Sequence, residues 1–78
     1  MKQRKRYVQV GVGSRGWCYT TALVKTMRKH CQLVGICDTN PGRMELCNRR
    51  IVEELGGQAV PMFPAVEFDA MIRRLRPD

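Results

Sequence analysis

Apolar residues along this chain fall into short runs that are separated by longer stretches with helical spacing. Residues 7–12 place valine at every second position, which predicts a β-strand. Residues 33–37 are apolar without polar alternation, a pattern typical of a parallel strand that is covered on both faces. A weaker run at residues 59–63 contains a proline, which suits the edge of a sheet. The pattern therefore predicts three strands.

Three helices are predicted around these strands. Residues 16–29 carry apolar side chains at roughly helical spacing. Asn40 and Pro41 suit the cap and the first position of a second helix, which Gly56 ends. A third helix is expected over residues 66–75, where apolar side chains form one stripe. Strands that alternate with helices through short connections predict an α/β fold with right-handed crossovers.

A glycine-rich segment, residues 11–16, lies between the first predicted strand and the first predicted helix. Its order, Gly-Val-Gly-Ser-Arg-Gly, matches the G-x-G-x-x-G fingerprint of dinucleotide-binding turns. Gly11 is expected to turn the chain sharply, Gly13 to let the main chain approach a pyrophosphate, and Gly16 to let the helix pack on the strand. The amides of residues 14–17 are expected to be unpaired and to face the phosphates. The alternatives are a purely structural turn, or the glycine turn of a flavoprotein or a methyltransferase, although Thr20 and Val10 stand where those two classes often have an alanine and an acid.

An aspartate ends the second predicted strand, 22 positions after the last glycine of the turn. An acid about 20 residues beyond this fingerprint binds the adenosine ribose. Asp38 is therefore expected to bind ribose, and its charge favours NAD over NADP because it repels a 2′-phosphate. Thr39 and Arg43 are expected at the same pocket edge. Arg43 either stacks on adenine, pairs with a 2′-phosphate or lies on the surface, and Arg15 either contacts a phosphate or points into water.

Three segments together resemble the amino-terminal domain of the Gfo/Idh/MocA oxidoreductases: residues 8–16, residues 33–43, and residues 68–78 with their closing Arg-Pro-Asp. The resemblance implies a Rossmann-like fold with a partial parallel sheet of about three strands in the order 3-2-1. It also implies a nicotinamide cofactor, NAD or alternatively NADP, and a sugar, polyol or related substrate oxidised at a hydroxyl-bearing carbon. The residues expected to bind the cofactor are Gly11, Gly13, Ser14, Arg15, Gly16, Asp38, Thr39 and Arg43.

The same resemblance implies that residues 7–78 form an incomplete dinucleotide-binding domain. In the family, a fourth strand and a Glu-Lys-Pro segment follow, and neither occurs in this sequence. No catalytic residue is assigned, since His30 is interpreted as a helix-end residue. Whether the chain is an enzyme stays open: it is expected to be inactive alone, or to need a partner chain that supplies the missing half.

Charge and composition leave two other functions open. The chain has 78 residues, 44% of them hydrophobic, and a formal net charge of +7. Residues 1–6 are interpreted as a basic, disordered leader, and many other cations lie near predicted helix ends, where they complement the helix dipole. Aromatic residues are not interleaved with the cations, which disfavours nucleic-acid binding. A small basic interaction or nucleic-acid-binding module, or a truncated product without function, remains the alternative.

The four cysteines and the one histidine are not spaced in the close pairs that zinc sites use, so no metal site is expected. The cysteines are interpreted as reduced and mostly buried. No apolar run approaches the roughly 18 residues that a membrane span needs, and no signal peptide is recognised. A cytoplasmic protein that does not bind membranes is expected.

Overall fold

A computed structural model describes residues 4–78 and contains a three-stranded parallel sheet with helices on both faces. Its strands are β1 (Lys5–Val10), β2 (Cys31–Asp38) and β3 (Met62–Pro64). Their order is β1-β2-β3, which is the order 3-2-1 seen from the opposite edge. β1 pairs with β2 along its whole length, whereas β3 pairs only with the last three residues of β2. The predicted α/β class is therefore confirmed.

Three α-helices connect and follow the strands: α1 (Trp17–Thr21), α2 (Pro41–Glu54) and α3 (Phe68–Leu75). A 3₁₀ turn, Ser14–Gly16, leads into α1, and a π-helical turn, Ala22–Thr26, follows it. The first helical segment thus ends before the predicted residue 29. No helix within residues 4–78 has both the length and the apolar character needed to cross a membrane.

A threonine that bonds back to the main chain contributes to the irregular first helix. The Thr21 hydroxyl donates to the Trp17 carbonyl at 2.9 Å, whereas the single hydroxyl proton of Thr20 is donated to Gln9 Oε1 at 2.8 Å and not to the more distant Gly16 carbonyl at 3.2 Å. Such back-bonding to the main chain four residues earlier competes with regular helical pairing and bends helices. The segment then closes through the Met27 amide, which donates to the Ala22 carbonyl at 2.7 Å, five residues back.

The core lies on both faces of the sheet. On one face, α1 and α2 cover β2, and the buried side chains there include Ile36 and Ile51, both fully excluded from solvent. On the other face, α3 inserts Met71 against Cys37 and Phe63. Because α1 and α2 share a face, the glycine turn before α1 lies beside the beginning of α2.

The starts of β1 and β3 also differ from the prediction, and each difference has an identifiable cause. β1 begins at Lys5, whose amide donates to the His30 carbonyl at 2.9 Å, so residues 5 and 6 belong to the sheet and not to a disordered leader. Residues 1–3 lie outside the described part of the chain. β3 begins later than residue 59 because the Asn48 side chain binds both main-chain groups of Val60, at 2.8 and 3.0 Å. Pro61, which follows, has no amide hydrogen for a ladder.

After α3 the chain returns to the outer edge of β1. Arg76 adopts a left-handed conformation, with φ of 49°, and turns the chain past the end of the helix. The Asp78 amide then donates to the Arg6 carbonyl at 2.9 Å, and the Arg6 amide donates to Asp78 Oδ2 at 2.7 Å. Within residues 4–78, no strand covers the rest of this edge, at Val8 and Val10.

Candidate dinucleotide site

Two glycines of the turn are required by the fold itself. Gly11 has a φ of +88°, which L residues rarely adopt, and its amide donates to the Cys37 carbonyl at 2.8 Å. At Gly16, an added Cβ would lie 2.9 Å from the Gly11 carbonyl oxygen and 2.7 Å from Gln9 Nε2. Gly11 therefore makes the sharp turn, and Gly16 allows the helix to approach the strand closely.

Gly13 has neither of these constraints. Its conformation is extended, with φ of −71° and ψ of −177°, which any residue adopts. Apart from its chain neighbours, an added Cβ would have Arg43 Nη1 as its nearest contact, at an ordinary distance of 3.9 Å. Nothing in the described chain requires a glycine here. The absence of a side chain at this position leaves open the space through which a ligand would approach the main chain.

Three main-chain amides of the turn are free, one fewer than the four that the sequence predicts. The free set begins at Gly13 and not at Ser14. The Gly16 amide donates to the Gly13 carbonyl at 2.9 Å, and the Trp17 amide donates to the Ser14 carbonyl. These two predicted donors are therefore occupied, because the chain enters α1 through a 3₁₀ turn. The amides of Gly13, Ser14 and Arg15 find no acceptor within residues 4–78. Successive free amides of this kind form a concavity suited to an anion.

Gln9 positions the turn, a role that the pattern of residues does not predict. Its side chain is buried at 8% exposure. Its Nε2 donates to the carbonyls of Gly11 at 3.1 Å and Gly16 at 2.9 Å, and its Oε1 accepts from the Thr20 hydroxyl at 2.8 Å. One side chain thus joins both ends of the turn to α1. The available signal was a glutamine between two valines just before the glycines, but alternation alone assigns such a position to solvent.

Asp38 lies directly beneath the turn. Its Oδ2 accepts from the Val12 amide at 2.9 Å, and its Oδ1 accepts from the Asn40 amide at 2.9 Å and from the Thr39 hydroxyl at 3.4 Å. The Val12 and Asn40 amides lower the pKa of this carboxyl, against the opposing effect of burial. The side chain is only 7% exposed. Since a carboxylate accepts about four hydrogen bonds, these contacts leave room for about one more.

A cleft of about 550 Å³ opens between the turn and α2. Three arginines line it, and no acidic residue does. Arg50 lies 3.8 Å above the Trp17 ring and is ion-paired with Glu54 at 2.9 Å, so it forms part of the wall. No ion pair within residues 4–78 involves Arg15 or Arg43. The lining residues are Val12, Gly13, Ser14, Arg15, Trp17, Arg43, Leu46, Cys47 and Arg50.

The structure thus brings four of the eight predicted residues into this cleft: Gly13, Ser14, Arg15 and Arg43. The other four lie outside its lining. Gly11 and Gly16 shape the turn, whereas the Asp38 carboxylate contacts the turn through the Val12 amide and holds the Thr39 hydroxyl.

A second cavity, of about 540 Å³, lies near the beginning of β2. Its two arginines already have main-chain partners: Arg4 donates to the Arg28 carbonyl at 3.2 Å, and Arg6 donates to the Leu75 carbonyl at 2.6 Å. Unlike the first cleft, it is not bordered by the glycine turn. We therefore take the first cleft as the candidate site.

The cysteine thiols of the described residues are not grouped with other side chains that bind metal ions. In residues 4–78, no three His, Cys, Asp or Glu side chains are grouped so that they could hold a metal ion. All four cysteines are free; Cys18 is exposed and the other three are buried. Burial raises the pKa of the Cys37 and Cys47 thiols, which keeps them protonated at neutral pH.

No family model, curated protein or solved structure matches this chain. The resemblance to the Gfo/Idh/MocA oxidoreductases therefore rests on the residues of the chain alone.

Proposed function

We propose that this chain is the NAD(P)-binding portion of a Gfo/Idh/MocA-like oxidoreductase that acts on a sugar, polyol or related hydroxyl compound. The observation that carries the proposal is the contrast among the three glycines of the turn. Gly11 and Gly16 are explained by backbone conformation and packing, whereas Gly13 faces a cleft and is required by neither. A ligand that approaches the main chain closely explains a glycine at that position.

Each part of the site has a role in this proposal. The amides of Gly13, Ser14 and Arg15 donate to the pyrophosphate, and the Arg15 guanidinium adds a charge beside it. Asp38 accepts a hydrogen bond from one ribose hydroxyl, because its three existing hydrogen bonds leave room for about one more. The nicotinamide supplies the hydride chemistry when it is bound, and the protein supplies binding and orientation. No catalytic residue is assigned within residues 4–78.

We also propose a partner chain that pairs with the outer edge of β1 and completes the nucleotide crevice. The paired main-chain groups of Arg6 and Asp78 begin this edge, and Val10 is 61% exposed beside it. Exposed strand edges of this kind pair with other strands, including copies of themselves. Light scattering should therefore show association that depends on concentration. Val10→Lys should reduce this association. The control Val66→Lys, at a site 94% exposed in the connection before α3, should leave it unchanged. A monomer at every concentration would contradict this edge pairing.

Isothermal titration with NADH and NADPH tests the cofactor proposal. Gly13→Val places a branched side chain between the ligand and the main chain, and we expect it to weaken binding at least tenfold without lowering the unfolding midpoint. Val66→Ala, remote from the cleft, serves as the control and should bind as the unmodified chain does. Equal affinity in Gly13→Val would contradict the proposal. Binding of a polyanion such as heparin with a steep salt dependence, unaffected by Gly13→Val, would instead support the basic interaction module.

A further inference from the structure

Basic side chains gather at the end of the sheet that lies opposite to the glycine turn. Parallel strands begin at one end of a sheet, and the helices that connect them run the other way and stop at that end. Two contacts join the segments that meet here: Arg4 Nη1 donates to the Arg28 carbonyl at 3.2 Å, and Arg6 Nη2 donates to the Leu75 carbonyl at 2.6 Å. We call this surface the basic end; it consists of residues 4–6, 25–30 and 73–76.

The basic end carries far more positive than negative charge. Three acids lie near it, and two of them are engaged: Asp78 Oδ2 accepts from the Arg6 amide at 2.7 Å, and Glu54 is ion-paired with Arg50 at 2.9 Å. Glu53, in the last turn of α2, is the third. No ion pair within residues 4–78 involves a cation of the basic end. Its nine cations, all exposed, are Arg4, Lys5, Arg6, Lys25, Arg28, Lys29, Arg73, Arg74 and Arg76.

The fold accounts for only part of this charge. Cations in the last turn of a helix complement its dipole, which explains Arg73 and Arg74 in α3. That effect does not extend to Lys5, at the beginning of a strand, or to Lys29, which follows the last helical turn at Thr26. Exposed like charges that lie together repel one another and so oppose folding. An anionic partner would explain why the chain nevertheless brings these segments together.

The composition of the basic end favours one kind of anion. Its three segments contain no phenylalanine, tryptophan or tyrosine. They therefore lack the platforms on which single-stranded bases stack, and also the aromatic anchors that are enriched in protein interfaces. Six of the nine cations are arginines, which bind phosphate through paired hydrogen bonds. The phosphates of a duplex, whose bases are already stacked and paired, require only such cations.

We propose that the basic end binds the phosphodiester backbone of a nucleic-acid duplex without reading its sequence. Contacts to phosphates supply affinity and position but carry no sequence information. This site is separate from the cofactor cleft, because the six residues of β1, about 20 Å in length, lie between them. That distance exceeds the Debye length of about 8 Å at physiological salt, so the two sites act independently.

Fluorescence anisotropy of a labelled DNA duplex, titrated with the whole chain over a series of salt concentrations, tests the proposal. We expect the logarithm of the affinity to fall with the logarithm of the salt concentration with a slope of about −5, as for about five or six phosphate contacts. Two duplexes of unrelated sequence should bind alike. Duplex RNA, which presents the same phosphodiesters in a different helix, shows whether one of the two sources is preferred.

The informative variants remove charge from two segments of the basic end. Arg73→Gln should reduce the magnitude of the salt slope by about 1, and Arg28→Gln combined with Arg73→Gln should reduce it by about 2. The double variant should also weaken binding about tenfold at low salt. Arg49→Gln is the matched control, since it removes an exposed arginine of α2 outside the basic end, and it should leave the slope unchanged. Gly13→Val should bind the duplex as the unmodified chain does.

Several results would overturn the proposal. Absence of duplex binding at low salt would do so, as would equal weakening by Arg73→Gln and Arg49→Gln. Tighter binding of a single strand, or of polyglutamate with the same charge, would show that the partner is not a duplex. Displacement of the duplex by NADPH would place it in the cofactor cleft. Failure of duplex binding leaves the cofactor proposal intact, whereas duplex binding without NADH or NADPH binding overturns the proposed function alone.

Discussion

The clearest physical contrast in the turn is between alanine at position 16 and alanine at position 13. At Gly16 the new Cβ would lie 2.9 Å from the Gly11 carbonyl oxygen, which belongs to the backbone and cannot rotate away. It would also lie 2.7 Å from Gln9 Nε2, whose side chain is held by hydrogen bonds on both of its polar atoms. Overpacking of this kind costs about 1–3 kcal/mol. We therefore expect Gly16→Ala to destabilise the chain by that amount.

Gly13→Ala should behave differently. Its Cβ would come no closer than 3.9 Å to any atom beyond its chain neighbours, and its backbone is already extended. Replacing a glycine by alanine in a compatible conformation stabilises a protein by about 0.4–1 kcal/mol, because the unfolded chain loses freedom. For a domain of this size, 1 kcal/mol corresponds to about 4–8 °C in the unfolding midpoint.

Thermal and urea unfolding followed by far-UV circular dichroism measure both variants side by side. The expected result is a lower midpoint for Gly16→Ala and an unchanged or slightly higher midpoint for Gly13→Ala. Equal destabilisation by the two would show that the fold requires Gly13, and the inference of a ligand at that position would lose its support. A neutral Gly16→Ala would refute the close packing of α1 on β1.

Three further outcomes follow from the buried groups. Gln9→Leu leaves the Gly11 and Gly16 carbonyls without their side-chain donor and should lower the free energy of unfolding by about 1–3 kcal/mol; an unchanged value in urea unfolding would contradict its bracing role. Because the folded state lowers the pKa of Asp38, its stabilising contribution is present at neutral pH and is lost as the pH falls through that lowered pKa. Asp38→Asn should therefore flatten the acid side of the stability profile, and a parallel profile would contradict this linkage. Of the four thiols, Cys18 alone is exposed and should react rapidly with Ellman's reagent in the native state, the others reacting only on unfolding; fast reaction of all four would contradict the packing.

Periodicity and turn chemistry were sufficient to predict the succession of elements. The apolar run of β2, the Asn40 cap and the Pro41 start of α2 are local features, and the structure contains each of them. The position of Asp38 close to the glycine turn follows from a simple rule as well. Both segments lie at the carboxyl ends of neighbouring parallel strands, so the acid and the turn meet at the same edge of the sheet.

The features that could not be predicted depend on contacts between distant residues. Nothing local indicates that Asn48 binds the main chain of Val60 and so shortens β3. The burial of Gln9 depends on the approach of α1, and alternation within β1 suggests the opposite. The direction of the Asp38 carboxylate is likewise set by the Val12 amide, in the turn that follows β1.

The most direct test of the central claim is an amide-resolved NMR titration of the ¹⁵N-labelled chain with NADPH. The free amides of Gly13, Ser14 and Arg15 should show the largest shifts, with smaller shifts at the beginning of α2 and almost none in α3. Absence of shifts at millimolar NADPH, or shifts spread over the basic surface without a maximum at these three amides, would contradict a dinucleotide site at the glycine turn.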